Sequence, residues 1–468
     1  MTLTRSILKL RPCSGLVRIS FVIFALSILS MAGESPARDY FVSPNGRDSN
    51  QGTIESPLLT LKKAISMATG GDTILLRTGT YVENTVSIVN KNTSSSNKLT
   101  IKPYGNESVV IDHNGVDYGW WIENQSYIVI DGIIIRNADE GFVILGGSKY
   151  INILNSTVRD MINRGVLADD IGHSGYPEYV TIDNCTFTNI GINTAGGDIA
   201  LGVNATNFTI SNNRLMGNVD GVVLEGASSG HIIENNEIGN HAQEDGLDLK
   251  YTWMKTPTAR SEYCIIQNND IYGHHAQTGI TVQMESRKVK IINNRIHNNR
   301  WGIWIRSKDT SDIEISQNTI YDNDDTGIII NMEATGNVRI LDNVIWHNGY
   351  ASTNGVKGGI QIEDGTTYEI SNNIIANNKT GGATNINQVW IGSGQVSSTA
   401  LDYSTYYASQ NELLMRWGNS TYTSLSQIQS QASQEAHGTV IIGEYTGATA
   451  PPSTPPLPPA NLRVTPTD

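Results

Sequence analysis

Three carboxylates and a lysine crowd into seven consecutive residues, the stretch EDGLDLK at residues 244–250. Charged residues make up only 16% of the chain, so this density stands out from the rest of the sequence. An Asp-Gly pair alone is a common turn dipeptide. A further Asp-Gly pair begins at Asp220, in the corresponding place of an earlier repeat, which favours a site over a solvated turn.

The four acids of this segment predict a metal site. Carboxylates at such close range repel one another unless a cation lies between them. Oxygen ligands from a turn and its neighbours suit Ca²⁺. We therefore expect Ca²⁺ to be bound by Asp220, Glu244, Asp245 and Asp248.

A repeated phrase around an Asn-rich corner predicts the fold. It reads VTIDNCTF at residue 180, FTISNNRL at 208 and HIIENNEI at 231, and it recurs as far as YEISNNII at 368. Several copies are 23 to 25 residues apart, a period typical of solenoids. Short β-branched runs indicate parallel strands, hence an all-β, single-stranded parallel β-helix. Stacked amides are expected at positions 184, 213, 236, 269, 294, 318, 343 and 373.

A second phrase, with an aligned glycine, supplies an outward face in each coil. Side chains alternate between the two faces of a strand, so every second residue after the glycine points away from the core. The predicted inward pairs are Val222/Leu224, Leu247/Leu249, Ile280/Val282, Ile303/Ile305 and Ile328/Ile330. The predicted outward pairs are Val223/Glu225, Asp248/Lys250, Thr281/Gln283, Trp304/Arg306 and Ile329/Asn331.

The chain ends predict the domain organisation. Basic residues precede an apolar run at 19–32, as in a secretory signal peptide, so we expect a secreted protein with no membrane span after processing. An amphipathic helix around 58–68 is expected to cover the open end of the solenoid. The predicted parts are a signal peptide at 1–37, a β-helix at 38–445, a Pro-rich linker at 446–459 and, at 460–468, the start of a truncated fibronectin type III-like module.

Composition narrows the range of partners. The formal net charge of −13 argues against nucleic acid or an anionic membrane surface. An acidic polysaccharide remains compatible if the site supplies local cations, and we expect a monomer. Cys185 and Cys264 are expected to be core thiols, and the pair His274-His275 lacks further ligands at metal-binding spacing.

The repeat, the N-terminal phrase and EDGLD together resemble the secreted right-handed parallel β-helix polysaccharide lyases, most closely polysaccharide lyase family 9, the calcium-dependent pectate lyases. That family carries a D-D-G-x-D stretch, with another Asp one coil earlier, that binds the catalytic Ca²⁺. Residues 244–248 match with one Asp-to-Glu change, and Asp220 matches the earlier Asp. The resemblance covers most of 39–445 and implies β-elimination on a pectate-like uronate polysaccharide.

One departure concerns the base. The family's catalytic lysine lies one coil after the acidic stretch, where this chain has Thr281. Lys250 and Arg306 are the candidate bases on the same face, and Arg306 would otherwise clamp a substrate carboxylate. The candidate substrate-binding residues are Glu225, Tyr251, Trp253, Gln283, Arg300, Trp301 and Trp304. Two other functions stay open, a non-catalytic carbohydrate-binding or cell-surface β-helix and a uronan C5-epimerase.

Overall fold

The computed structural model describes residues 36–169, 175–191, 199–217, 219–226, 229–241, 243–252, 263–334, 336–351, 358–379, 388–408 and 415–446, with backbone alone at 199–202. The predicted signal peptide, linker and C-terminal module lie almost wholly outside these residues, so their boundaries stay predictions. The residues considered below belong to one compact unit that begins at Ala37.

The chain winds as a parallel β-solenoid with three sheets, as the repeat predicts. Each regular coil contributes one strand to each sheet, and each strand pairs in parallel with its counterpart in the next coil. Sheet 1 has fourteen strands and contains the first half of every repeated phrase. Its strands are Asp39–Val42, Thr73–Leu76, Leu99–Pro103, Ser126–Asp131, Lys149–Leu154, Thr181–Asp183, Thr209–Ser211, Ile232–Glu234, Cys264–Gln267, Arg287–Ile292, Ser311–Ser316, Gly336–Leu341, Thr366–Ser371 and Thr399–Asp402.

Sheets 2 and 3 follow sheet 1 in each coil. Three long strands run through both sheets, namely Val109–Glu123, Ile134–Leu145 and Thr157–Asp169. Sheet 2 further contains Gly79–Val82, Thr186–Ile190, Arg214–Met216, Glu237–Gly239, Asp270–Tyr272, Arg295–His297, Thr319–Tyr321, Val344–Trp346, Ile374–Ala376, Thr405–Ala408 and Thr439–Ile442. Sheet 3 further contains Val86–Ile88, Ile199–Val203, Asp220–Leu224, Leu247–Lys250, Thr278–Gln283, Trp301–Ile305, Ile328–Ile330, Ile360–Ile362, Val389–Ile391, Met415–Trp417 and an antiparallel last strand, Ser420–Tyr422.

The core is one continuous cluster of apolar side chains along the solenoid axis. All ten inward residues predicted from the second phrase are completely buried, which confirms the alternation. Isoleucine dominates because its β-branched side chain packs well on the pleated surface of a strand.

A ladder of buried asparagines occupies the corner between sheets 1 and 2. Each Asn accepts, at its Oδ1 atom, the backbone N–H of the Asn one coil earlier at 2.9 Å, and also that residue's side-chain N–H. The ladder therefore satisfies corner backbone groups that no strand partner reaches. Its members are Asn213, Asn236, Asn269, Asn294, Asn318, Asn343 and Asn373.

The assignment of position 184 to this ladder is wrong. Cys185 occupies the ladder position, and its backbone N–H donates to Oδ1 of Asn213 at 2.8 Å. Asn184 is instead the preceding corner residue, with φ of 53°, and its side chain bonds Asn155 outside the core. Asn tolerates this left-handed conformation better than most residues, so the phrase needs its two adjacent asparagines for different reasons.

The predicted helix is present at Leu61–Met67. The side chain of its N-cap residue, Thr60, accepts the N–H of Lys63 at 3.1 Å, and the carboxylate of Glu83 accepts the N–H of Leu61 at 2.6 Å. Leu61, Ala64 and Ile65 join the core. Its role as the cover of the open end stays a prediction. The other helical segments described are Val396–Ser398, Leu425–Gln427 and Ile428–Ala432.

Cys185 and Cys264 are buried free thiols, as expected. Burial raises the pKa of Cys185 to about 12 and that of Cys264 to about 11. Within the described ranges, no helix is long and apolar enough to cross a membrane.

We predict that Asn294→Ala destabilises the fold. The Asn294 amide accepts two hydrogen bonds from Asn269, and those buried N–H groups would lose their acceptor. Each unmet buried donor costs about 1–3 kcal/mol, so the loss should be on the order of 2–5 kcal/mol. Urea unfolding followed by circular dichroism measures it, with the exposed residue change Asn92→Ala as the control. Equal unfolding midpoints for the two variants would contradict the stabilising role of the ladder.

Candidate functional site

A column of glycines in sheet 3 sets how closely its coils approach one another. A Cβ on Gly246 would lie 2.6 Å from the carbonyl oxygen of Gly279, and one on Gly221 would lie 2.2 Å from that of Gly246. The two Asp-Gly pairs are therefore not turn dipeptides. Glycine is required there because the backbone of the next coil occupies the space of a side chain.

Asp220 and Asp245 each hold the backbone of the following coil. Oδ1 of Asp220 accepts the N–H of Asp245, and Oδ1 of Asp245 accepts the N–H of Thr278, both at 2.8 Å. The two side chains are 7% and 6% exposed. The two buried carboxylates are stacked along the solenoid axis, and each belongs to the residue directly before a glycine of the column.

Asp248 lies in the strand Leu247–Lys250, directly after the glycine column, and joins a network of polar side chains. Its Oδ1 accepts the Gln283 amide at 2.7 Å, and its Oδ2 is 2.9 Å from Nζ of Lys250. Nζ of Lys250 is also 3.5 Å from a carboxylate oxygen of Glu225, one coil earlier. Lys250 therefore forms ion pairs with both Asp248 and Glu225.

The electrostatics of the cluster show that its negative charge is only partly compensated. Burial, together with Asp245, Asp248 and Glu244, raises the pKa of Asp220 to about 8. Burial and repulsion by Asp248 raise the pKa of Asp245 to about 7, although Thr278, Thr281 and Arg306 lower it. These shifts are the response expected of like charges held together in a poorly solvated place.

Lys250 is held in its protonated form by the same carboxylates. Burial, the largest single influence, lowers its pKa, but Asp248, Glu225 and Asp220 together raise it above the ordinary value. Thr281 stacks directly on Asp248 in the next coil and is completely buried. The strand register therefore confirms that Thr281 occupies the place where the resemblance requires a lysine.

The donors suit a hard cation in chemistry, but they are not assembled as a finished metal site. Asp220, Asp245 and Asp248 are all oxygen donors, and Glu244 is half-buried beside them. Among the residues that the structure describes, no group of three or more His, Cys, Asp and Glu side chains lies close enough to hold a metal ion. Both oxygens of Asp248 are engaged by Gln283 and Lys250. Calcium binding there stays a prediction.

Two arginine–tryptophan pairs lie on the C-terminal side of the acids. The guanidinium of Arg306 lies 4.2 Å from the ring centroid of Trp304, and that of Arg300 lies 4.0 Å from Trp301. Arg300 also forms an ion pair with Asp325 at 3.3 Å, a partner that the sequence analysis did not identify. It could have been found from the strand register, since Asp325 follows Arg300 in the column two residues before the glycines.

The outward face is less exposed than the alternation suggested. Trp304 is 8% exposed, Gln283 is 4% exposed, and Val223 and Thr281 are completely buried. Each is stacked against residues of the adjacent coils, so little of it reaches water. The indole N–H of Trp304 donates to Asn331 at 2.8 Å and Arg306 covers its ring, which leaves no open face for a sugar.

The remaining predicted residues are placed differently. Glu225 keeps about half of its side chain exposed, at 54%. Tyr251 is 43% exposed and has φ of 55°, so it ends the strand that carries Asp248 and turns outward. Trp301 is half-buried, and Trp253 lies outside the described residues.

A second buried amide ladder packs behind the glycine column and was missed. Its members are Asn299, Asn323, Asn348, Asn378 and Gln388. In the coils of the acids, His274 and His241 take the same place. Nδ1 of His274 is 2.6 Å from Oδ1 of Asn299, and burial lowers the pKa of both imidazoles well below the usual range. The recurring Asn before each glycine was the available signal, but His interrupts it.

Comparisons with known proteins agree with this architecture. A family model described as "Pel9A-like, right handed beta helix region" matches residues 40–227, and one described as "Right handed beta helix region" matches 256–391. The chain is therefore similar to the pectate-lyase-like right-handed β-helix proteins. The resemblance stated from the sequence, and the all-β right-handed parallel β-helix, are thereby confirmed.

Individual relatives are distant. YwoF of Bacillus subtilis strain 168 is 27% identical over 377 residues, 74% of this chain and 75% of that protein. Pectate lyase PEL9 of Emericella nidulans is 29% identical over 220 residues, 46% of this chain and half of that protein's length. The crystal structure of pectate lyase Pel9A is 18% identical and superposes with a TM-score of 0.42, covering 73% of this chain and 76% of that one.

We predict that Asp220→Asn stabilises the protein in EDTA, more at pH 8 than at pH 4. Folding raises the pKa of Asp220 from 3.8 to about 8. The folded wild type therefore keeps a proton that the unfolded chain has lost, and its free energy of unfolding falls as the pH rises between these values. At ~1.4 kcal/mol per pKa unit, reduced because neighbouring carboxylates respond, the gain at pH 8 should be on the order of 2 kcal/mol. Urea unfolding at both pH values measures it. Asp39→Asn, at an exposed position, is the control. A gain independent of pH would contradict the proposed charge repulsion.

Proposed function

We propose that this protein is a secreted lyase that cleaves a uronate-containing, pectate-like polysaccharide by β-elimination with the help of Ca²⁺. The observation that carries the proposal is the set of three buried carboxylates close to Lys250 and Arg306, of which Asp220 and Asp245 are stacked and Asp248 lies beside them. Buried acids with raised pKa values and adjacent cations are typical of functional sites. The pectate-lyase-like family supports the reaction class.

The reaction needs a base and an electrophile. A base takes the proton from C5 of the uronate, next to the carboxylate. The electron pair of that C–H bond forms the C4–C5 double bond, and the bond from C4 to the glycosidic oxygen breaks. The departing oxygen takes a proton from water, so the products are one unsaturated end and one ordinary end.

The C5 proton is weakly acidic, because its loss places negative charge on the adjacent carboxylate. A calcium ion held by Asp220, Glu244, Asp245 and Asp248 would supply Lewis-acid stabilisation of that charge. The guanidinium of Arg306 offers a planar fork of N–H donors that suits a substrate carboxylate. We therefore assign charge neutralisation to Arg306 rather than proton abstraction.

Lys250 is the base that this assignment leaves. Its ion pairs with Asp248 and Glu225 keep it protonated, and a protonated amine cannot accept the C5 proton. Neutralising those carboxylates from outside would weaken the hold on its proton and lower its pKa. The active form of the protein is thus the one in which another cation neutralises the carboxylates of the site.

A second candidate is a non-catalytic carbohydrate-binding β-helix. Two observations favour it, namely Thr281 at the place of the family's lysine and the double ion pair of Lys250. A C5-epimerase would use the same proton abstraction and return the proton to the opposite face without breaking the chain. The three functions differ in products, since only a lyase creates unsaturated ends.

We expect the protein to raise the ultraviolet absorbance of polygalacturonate solutions in the presence of Ca²⁺, and EDTA to abolish the increase. Unsaturated ends absorb in the ultraviolet and hydrolysis products do not. Alginate and other uronans, assayed in parallel, identify the substrate. A flat trace on every uronan, with a folded protein that binds Ca²⁺, would contradict the lyase and favour the binder or the epimerase.

We expect the Asp245→Ala variant to lose Ca²⁺ binding. We expect the Lys250→Ala variant to keep Ca²⁺ binding but to lose at least ~10²-fold in kcat, which is the scale of the contribution of a general base. Calorimetric titration with Ca²⁺ separates the two effects. Lys290→Ala, a lysine change on sheet 1, is the control. Unchanged Ca²⁺ affinity and activity in Asp245→Ala would overturn the site assignment.

A further inference from the structure

The described arginines of this protein differ in what lies against them: some contact carboxylates, some contact aromatic rings, and Arg300 contacts both. Most are paired with carboxylates, as Arg136 is with Asp112 and Arg214 with Glu237. On sheet 1, Arg339 bridges Glu314 and Glu369. In a chain of net charge −13, a guanidinium readily finds an internal acid, so an arginine stacked on an aromatic ring instead needs a separate explanation.

Arg306 and Arg416 are two arginines of this kind. Arg416 lies 4.5 Å from the ring centroid of Trp390, as Arg306 lies 4.2 Å from that of Trp304. Among the residues that the structure describes, neither arginine forms an ion pair with a carboxylate. The Nε atom of Arg416 makes a long bond to the carbonyl of Gly418 at 3.4 Å, and that of Arg306 has no hydrogen-bond partner.

The two pairs lie on one line along the solenoid. Strand register places Trp304, Ile329, Gln361, Trp390 and Arg416 in successive coils of the same outward column. Four strand spacings of ~4.8 Å, roughly 20 Å along the axis, separate Arg416 from Trp304, the ring on which Arg306 lies. Uncharged Ile329 and Gln361 lie between them. Asp248 and Thr281 precede Trp304 in the same column, so this line continues from the acidic cluster towards the C-terminal coils.

Stacking on tryptophan changes what an arginine offers. The ring restricts the guanidinium and covers one of its faces, while the N–H groups at its edge remain free for an acceptor. A planar carboxylate is the acceptor that matches this fork. Two such forks on one line suit a chain that carries carboxylates at intervals.

We propose that Arg416 on Trp390 forms a remote carboxylate-binding subsite, so that an extended polyuronate lies along sheet 3 from the acidic cluster towards the C-terminal coils. This rests on the proposed function for the substrate class, although it concerns binding and not the chemical step. Arg306 binds the carboxylate of the uronate at the acidic cluster, and Arg416 binds the carboxylate of a later uronate in the same polysaccharide. Short oligosaccharides reach only the first arginine.

The test is the length dependence of binding, measured by calorimetry with oligogalacturonates from the dimer to the octamer in the presence of Ca²⁺. Arg416→Gln should weaken octamer binding about tenfold and leave dimer binding unchanged. Arg416→Lys should restore part of the loss, because it keeps the charge but not the fork. On polymer the effect should fall on KM and leave kcat unchanged. Arg339→Gln, at an arginine paired with acids on sheet 1, is the matched control and should change neither length.

The outcomes separate this inference from the proposed function. Octamer binding that is unchanged in Arg416→Gln, or equally weakened for dimer and octamer, overturns the subsite even if the protein cleaves polygalacturonate. Length-dependent weakening without any cleavage supports the subsite and removes the lyase. A wild type that binds no oligogalacturonate of any length overturns the subsite as well.

Discussion

The buried asparagine ladder is the interaction on which the rest of the structure depends. At the corner between sheets 1 and 2 the backbone leaves the strand direction, and its N–H groups have no sheet partner. Each ladder amide supplies the missing acceptor to the coil before it and donates to a carbonyl as well, as Asn294 does to Ile266. Such a ladder works only if every coil repeats in register, so it turns local polar satisfaction into a long-range constraint on the solenoid.

The same register raises the free-energy cost of placing charged side chains of one sign in the stack. Stacking places equivalent residues of adjacent coils one strand spacing apart, and the glycine column brings the backbones of sheet 3 close together. Acids at equivalent positions, such as Asp220 and Asp245, cannot move apart by rotating a coil. Their negative charge must be relieved by protonation, by backbone N–H donors or by a cation. Their raised pKa values show that the backbone N–H donors alone do not suffice and that, without a cation, protonation relieves part of the charge near neutral pH.

The periodic parts of the molecule could be predicted from the sequence because they are repeated. Alternation identified the inward residues, and the recurring asparagines identified the first ladder except at position 184, where Cys185 takes the place of an amide. The second ladder escaped because His241 and His274 replace asparagine in the very coils that carry the acids. The predicted exposure of the outward face was also wrong. Alternation gives the direction in which a side chain points, but it does not show how much of that side chain its neighbours cover.

Lys250 shows why the chemistry of a site is harder to predict than its position. Sequence and register place it beside Asp248, but whether it is a base or a counter-ion depends on how the total charge of the cluster is balanced. Because the fold holds the carboxylates rigidly, Lys250 and any external cation compete for the same oxygens. An ion that neutralises Asp248 would weaken the salt bridge and make the amine easier to deprotonate. Cation binding and activation of the base would then be a single event, which explains how a lysine outside the family's position could still serve.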